Sequence, residues 1–283
     1  MSMSTITIRN LTTFDEFRQV MELERQVWGF SDILDMVPPV VFRITVKRGA
    51  ILLGAFDERD RMVGFSYSLV GMKQGGKVLQ WSHMTGVLPE HRGGLGHRLK
   101  LEQRQRALEM GFDLIEWTFD PLQAMNAHFN MTKLGCVAEE YHRNVYGEST
   151  SALHKGTPTD RLVAQWHIAK PHVVRRLESV PELRFRTHEV AEAPLVNRTA
   201  MAGAWRTCAS IDLQREDRRL WVEIPTGFTE MQHQAPDLAL AWRMHTREIF
   251  ETYFARGYRV VDFTLDRPAG FGRYLLVTDR EAD

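Results

Sequence analysis

Along residues 5–11 (Thr-Ile-Thr-Ile-Arg-Asn-Leu) apolar and polar side chains alternate, the period of a half-buried strand. The period then lengthens. Phe14, Phe17, Val20, Met21 and Glu24 recur at helical spacing, after a Thr12–Thr13 start with Asp15 and Glu16 in the first turn and before a Trp28–Gly29 stop. This predicts a helix over 13–27. The stretches GAILLGAFD (49–57) and MVGFSYSLVGM (62–72) predict two strands joined by a charged turn, and VLQWSHMTGVL (78–88) predicts a third that Pro89 stops. A glycine-rich stretch from Glu90 to Gly96 leads into helix-forming residues His97–Met110, which Gly111 closes as a C-cap would. DLIEWTF (113–119) predicts a mostly apolar, central strand ended by Asp120–Pro121. A helix over 122–134, closed by Gly135, and strands near 137–146 and 161–168 follow.

Residues 148–160 are small and polar with Gly and Pro, the best linker-like stretch, and Val180–Pro181 is a weaker break. The two sides of the chain carry a similar segment. GFDLIEWTFD (111–120) aligns with GYRVVDFTLD (257–266), each after a helical run (97–110 and 238–256), and Val-Leu-Pro at 87–89 has a counterpart in Glu-Ile-Pro at 223–225. The simplest account is two copies of one strand–loop–helix–strand unit, giving domains 1–168 and 169–283. The competing account is that any helix-Gly-strand unit looks this way. The second copy has a longer Thr226–Asp237 segment with one glycine, Gly227, and is expected to be degenerate.

Composition narrows the function. The chain has 283 residues, with 36 Lys+Arg against 36 Asp+Glu. A neutral chain lacks the basic footprint of a general nucleic-acid binder and the polybasic stretch of a membrane anchor. No window approaches 18 uninterrupted apolar residues, and Met1–Leu11 has no signal-peptide pattern. The two cysteines, Cys136 and Cys208, imply no disulfide framework, so a reducing, cytoplasmic setting is expected. The eleven histidines show no metal-ligand spacing, so no metal is expected. In the 238–256 helix, Leu238, Trp242, Ile249 and Tyr253 share a stripe that reads as core or as an interface, the latter admitting a homodimer.

The candidate chemistry lies at Arg92-Gly93-Gly94-Leu95-Gly96-His97. Glycines between a strand and a helix let backbone approach an anion, and the first helical N–H groups point at it. Arg92, Arg98, Lys100, Arg104 and Arg106 outnumber Glu90, Glu102 and Glu109 nearby. The alternative is a tight turn and a solvated helix face. A P-loop would need Gly-Lys-Ser/Thr where His97–Arg98 stands. A dinucleotide fingerprint lacks its third glycine, although Glu116 sits where a ribose-binding acid would. Coenzyme A is the third ligand class.

At this point the chain resembles the GNAT acyltransferase superfamily. The resemblance rests on the order strand, helix 13–27, strand pair 50–72, strand 78–88, the loop Pro-Glu-His-Arg-Gly-Gly-Leu-Gly, helix 97–110, strand 113–119, Asn126, and Lys133-Leu134-Gly135. It covers about residues 1–168. The longer signature LPEHRGGLGHRLKLEQR is similar to a bacterial branch with a C-terminal extension. The resemblance implies an α/β (α+β) fold: a mixed, largely antiparallel central sheet with flanking helices, followed by a degenerate second GNAT-like half. It implies that amides of Arg92–Gly96, with His97 at the helix start, hold a pyrophosphate. Met84, Gly86 and Leu88 on the strand end would pair with the pantetheine arm, and Asn126 would contact the cofactor. The cosubstrate would be acetyl-CoA or another short acyl-CoA. The family's usual tyrosine acid, four residues before the glycine, is here Met131.

The reaction so implied is N-acyl transfer, acetyl or succinyl, to an amine of a small molecule such as an amino acid, by direct attack in a ternary complex. An ammonium of pKa ~10 must lose a proton before it attacks. Candidates for catalytic roles are His83, Glu116 and Asp120 as bases, and Tyr141 or Tyr146 as replacement acids. Each base has a structural alternative: helix N-cap for Asp120, strand-face packing or an ion pair for His83 and Glu116. Two further functions stay open: a non-catalytic acyl-CoA sensor or scaffold, and a dehydrogenase.

Overall fold

The computed structural model describes residues 6–147, 157–178 and 193–279. These fall into two compact units, divided after Trp117.

The first unit runs from strand β1 (Thr7–Asn10) through helix α1 (Phe14–Trp28), helix α2 (Pro39–Val46), strands β2 (Ile51–Phe56), β3 (Met62–Met72) and β4 (Val78–Val87), and helix α3 (Leu95–Glu109), into strand β5 (Ile115–Phe119). The sheet order is β1-β2-β3-β4-β5. The first three pairs are antiparallel and β4·β5 is parallel. Thr13 caps α1 with a full capping box: its side chain accepts from the Glu16 N–H, and Glu16 accepts from the Thr13 N–H. Such a cap stabilises a helix by about 1 kcal/mol. Of the predicted stripe, Phe17 and Val20 are buried, Met21 is half-buried and Phe14 is exposed, while Leu23 adds a buried position the pattern did not include. Helix α2 is an addition to the predicted elements. Pro38–Pro39 starts it, and its short apolar run gives no clear helical period.

The second unit contains helix α4 (Ala124–Ala127), strands β6 (Tyr141–His142) and β7 (Arg161–Trp166), and helix α5 (Pro171–Glu178). A hairpin of β8 (Asn197–Ala202) and β9 (Trp205–Ile211) follows, then β10 (Arg219–Pro225), α6 (Phe228–Gln234), α7 (Pro236–Ala255), β11 (Arg259–Asp266) and β12 (Phe271–Val277). The single helix expected over 122–134 is instead α4 followed by a π-helical turn over His128–Lys133. Among the described residues, the strand expected over 137–146 pairs at Tyr141–His142 and through bridges at Val137 and Ala138. The linker-like 148–160 lies largely outside the described residues, as does Val180–Pro181.

The two similar segments do not have the same neighbours. Strands β4 and β5 pair directly and in parallel. Strands β10 and β11 are separated by β12, which is antiparallel to both. Trp242, Ile249 and Tyr253 on α7 are core residues of this unit.

Candidate functional site

In the first unit the site is built around the end of β4. Tyr67 pairs with Met84 and Ser68 with Ser82, so His83 is the extra residue of a β-bulge. Beyond that bulge β4 keeps β3 on one edge. Among the described residues, the β4·β5 register holds Gln80–Ile115 and Trp81–Glu116. The Leu88 N–H donates to the Val63 carbonyl at 3.0 Å. Antiparallel alternation then turns the backbone groups of Gly86 and Met84 toward β3 as well, and those of Thr85 and Val87 toward the other edge. Within the Met84–Leu88 strand end, the positions whose backbone groups face away from β3 are thus Thr85 and Val87. Gly86 has a different role. A Cβ there would come within 3.0 Å of both Phe65 and Trp28, so glycine lets Trp28 of α1 lie over the strand.

After Pro89, one 3-10 turn leads to Gly93 (φ 111°) and Gly94 (φ 127°), both exposed and in backbone conformations that favour glycine. A Cβ on either would meet nothing within 4 Å. The glycines are thus required by backbone conformation and not by crowding. Gly94 is the N-cap of α3 and supplies no side-chain cap. The first intrahelical bond runs from the Arg98 N–H to the Gly94 carbonyl at 3.0 Å. The N–H groups of Leu95, Gly96 and His97 therefore precede the helical ladder, as an anion-binding helix start requires. Helix α3 starts two residues before the predicted His97.

Among the predicted bases, Glu116 is buried with Lys73 at 2.6 Å. Its carboxylate is half of an ion pair, which removes it as a free base. His83 keeps an exposed edge, and Tyr67 lies edge-on to its ring at 6.0 Å. The surrounding protein desolvates the imidazolium and lowers its pKa.

The sequence pattern missed Glu24. It lies on α1 at the same spacing as the apolar stripe and is fully buried. Oε2 accepts from the Val37 N–H at 2.8 Å, while Oε1 has no hydrogen-bond partner among the described residues. Burial raises its pKa to about 7, with the Val37 bond opposing. The Glu24 charge also contributes to raising the pKa of Tyr67, whose hydroxyl lies 2.9 Å from Thr45 Oγ1. The only available sequence signal was an acid in line with Phe17 and Val20.

In the second unit, Asp120 is held by Arg243 through two bonds of 2.7 Å, with Arg161 at 3.8 Å and the Leu122 N–H at 2.9 Å. Burial opposes its ionisation, but the Arg243 charge and hydrogen bonds win, so its pKa is lowered. A carboxylate so held is a poor base, which corrects its candidacy. Part of the alternative holds: its side chain takes an N–H at the strand end. Tyr141 donates to Asp160 at 2.7 Å, and burial with that bond pushes its pKa far up. That corrects Tyr141 as an acid. Tyr146 is exposed, with its hydroxyl 2.7 Å from Thr118 Oγ1 at the end of β5. Asn126 is exposed on α4, and Met131 is fully buried in the π-helical turn.

No cluster of metal-ligating side chains occurs among the described residues, and none of their helices is long and apolar enough to cross a membrane. No family model matches the chain, and no curated protein does. The solved structures it resembles include GNAT acetyltransferases. The Escherichia coli ribosomal-protein-S18-alanine N-acetyltransferase is 16% identical, over 59% of this chain and 96% of that one, with a TM-score of 0.47. A GNAT superfamily phosphinothricin acetyltransferase from Sinorhizobium meliloti, in complex with AcCoA, is 19% identical over 57% and 87%, with a TM-score of 0.46. A GCN5-related glucosamine N-acetyltransferase region of a fungal multi-domain GH3 β-N-acetylglucosaminidase is 18% identical, with a TM-score of 0.35. There the match covers 41% of this chain and only 14% of that protein's length.

Proposed function

We propose that this chain is an acyl-CoA-dependent N-acyltransferase of the GNAT type, transferring an acetyl or succinyl group to an amine of a small molecule such as an amino acid. The observation that carries the proposal is the exposed Gly93–Gly94 turn at the start of α3, directly after a strand edge that has no strand partner among the described residues. The amides of Leu95, Gly96 and His97 would take the pyrophosphate, aided by the helix dipole at about 0.3–1 kcal/mol per nearby charge. The outward backbone of Thr85 and Val87 would pair with pantetheine. Bound acyl-CoA supplies the activated thioester. His83 and Tyr146 stay as candidate proton carriers, Asn126 as a cofactor contact, and the two cysteines, Cys136 and Cys208, which form no disulfide, fit a cytoplasmic setting. The halves 1–168 and 169–283 would record a duplication whose second copy lost the glycine turn.

Calorimetric titration with CoA and acetyl-CoA, followed by thiol release from an acyl-CoA and amine grid, tests the reading. Binding with amine-dependent release is expected, and no heat from any CoA species would sink it. Buried Met131, at the position where the resemblance leads one to look for a tyrosine acid, favours one second reading, an acyl-CoA sensor. That reading expects binding with no amine-dependent release.

A further inference from the structure

We propose that Glu24 is the carboxylate that receives the acceptor amine as its ammonium ion and takes its proton; this rests on the acyltransferase reading above.

A carboxyl group removed from water must be compensated by a cation, by hydrogen bonds, or by protonation. Asp120 and Glu223 follow the first route, each bound by arginines. Glu116 has Lys73. Glu24 has a single backbone N–H, on one oxygen only. The elements packed on this part of α1 are α2, β3 and β4. The titratable groups facing it from β3 and β4 are Tyr67 and, through Tyr67, His83. On α2, Arg43 is turned to the Thr12 carbonyl at 3.3 Å. Among the described residues the Oε1 position therefore has no hydrogen-bonded cation, and an ammonium is the ligand class that completes it.

Its place in the fold suits the acceptor. Tyr67 is the residue at which the β3·β4 register shifts, and His83, the extra residue of that bulge, packs against the Tyr67 ring. The β4 segment after the bulge is the edge assigned to pantetheine. Trp28, one turn after Glu24, covers Gly86 on that same segment. Glu24 is closed off in this structure, with Val37 of the α1–α2 connection bonded over it, so the amine reaches it only when residues 29–38 shift.

The balanced step is as follows. The ammonium gives one proton to Glu24 Oε1 and becomes a neutral amine. The nitrogen lone pair attacks the thioester carbonyl carbon, and a C–N bond forms. The C–S bond breaks, and the departing thiolate takes the second nitrogen proton. Glu24 then loses its proton to water. A carboxyl poised near pH 7 accepts from an ammonium far better than an exposed one near 4.3.

The test compares wild type with Glu24→Gln, using the best amine from the activity grid. Glutamine keeps an acceptor oxygen for the Val37 N–H, so a role limited to holding the connection is preserved. Wild-type kcat/KM for the amine is expected to rise with pH through about 7 and then level. The variant is expected to lose that limb and fall ~10²–10⁴-fold at pH 7.5. Its residual rate should climb only toward pH ~10, with the amine's own ionisation. CoA affinity and the thermal midpoint report folding separately. A folded variant that binds CoA and keeps the wild-type rate and pH limb overturns Glu24 alone. Wild type that binds no CoA, or binds it and turns over no amine, overturns the acyltransferase reading and this inference together.

Discussion

Glu24 and Asp120 are both buried carboxyls, and their surroundings drive them in opposite directions. Asp120 has Arg243 across two short hydrogen bonds, which hold its pKa below the usual carboxylate range despite full burial. Glu24 has only the Val37 N–H, and burial carries it to about 7. The consequences for stability follow from the signs. The Asp120 contribution is present above the unfolded-state pKa near 3.9 and is lost as pH falls through the lower folded value. Asp120→Asn leaves Arg243 charged and buried, so a loss of about 3–5 kcal/mol is expected at pH 7. Urea unfolding should show that deficit shrinking toward pH 3. For Glu24 the folded state binds the proton more tightly, so stability falls as pH rises between about 4.5 and 7. Glu24→Gln removes that penalty, and the variant should gain up to about 3 kcal/mol over wild type at pH 8 and little at pH 4. A gain that does not depend on pH would show that Glu24 is not raised. Neither environment was legible in the sequence. The partner of Asp120 lies 123 residues away, and the burial of Glu24 depends on a connection whose path no periodicity encodes.

Elements were more legible where local chemistry fixes them. The α1 start could be read because Thr13 and Glu16 satisfy each other's N–H groups within one turn. The turn before α3 could be read because φ of 111° and 127° exclude most residues but glycine. What escaped were the bulge at His83 and the π-helical turn at His128–Lys133, since both are set by packing across elements and not by spacing along one. The glycine turn yields a paired prediction. Gly94→Asp places a side chain in open space, so it strains the backbone by about 1–3 kcal/mol without a clash. It also puts a negative charge at the pyrophosphate position. CoA affinity should fall at least ~100-fold with the fold retained, as calorimetry and circular dichroism would show, given electrostatics of this kind at a helix start. Gly96 is different: it lies inside α3 with no positive φ and no crowding. Gly96→Ala should stabilise the protein by about 0.5–1 kcal/mol in thermal unfolding. If it also weakens CoA, the pyrophosphate passes over Gly96 itself.

At the scale of the whole molecule, the repeat and the compact units describe different things. The similarity of segments along the chain leads to an expected boundary at 168. The contacts divide the chain after Trp117, within β5. The reason lies inside the second unit, where residues 118–147 and 157–168 are bound to segments from the far end of the chain. Ala138 and Val260 exchange backbone hydrogen bonds of 3.0 and 2.7 Å. Thr132 donates to the Phe263 carbonyl, and Tyr274 donates to that of Pro121 at 2.7 Å. Tyr141 stacks on Phe250 at 6.1 Å, and Arg247 binds Asp160 through two bonds of 2.8 and 2.9 Å. A chain ending at residue 168 keeps Asp120 and Asp160 but loses Arg243 and Arg247, so Asp120 retains only Arg161 at 3.8 Å and Asp160 loses its guanidinium pair, or the surface around both becomes exposed. Either outcome costs several kcal/mol, comparable to the whole stability of a domain, at about 5–15 kcal/mol. Residues 1–168 expressed alone should therefore be insoluble or melt without a cooperative transition, while the full chain melts cooperatively. A soluble 1–168 fragment that melts cooperatively and binds CoA would show that the first copy folds by itself, and that the arginines of α7 are additions to a domain already complete.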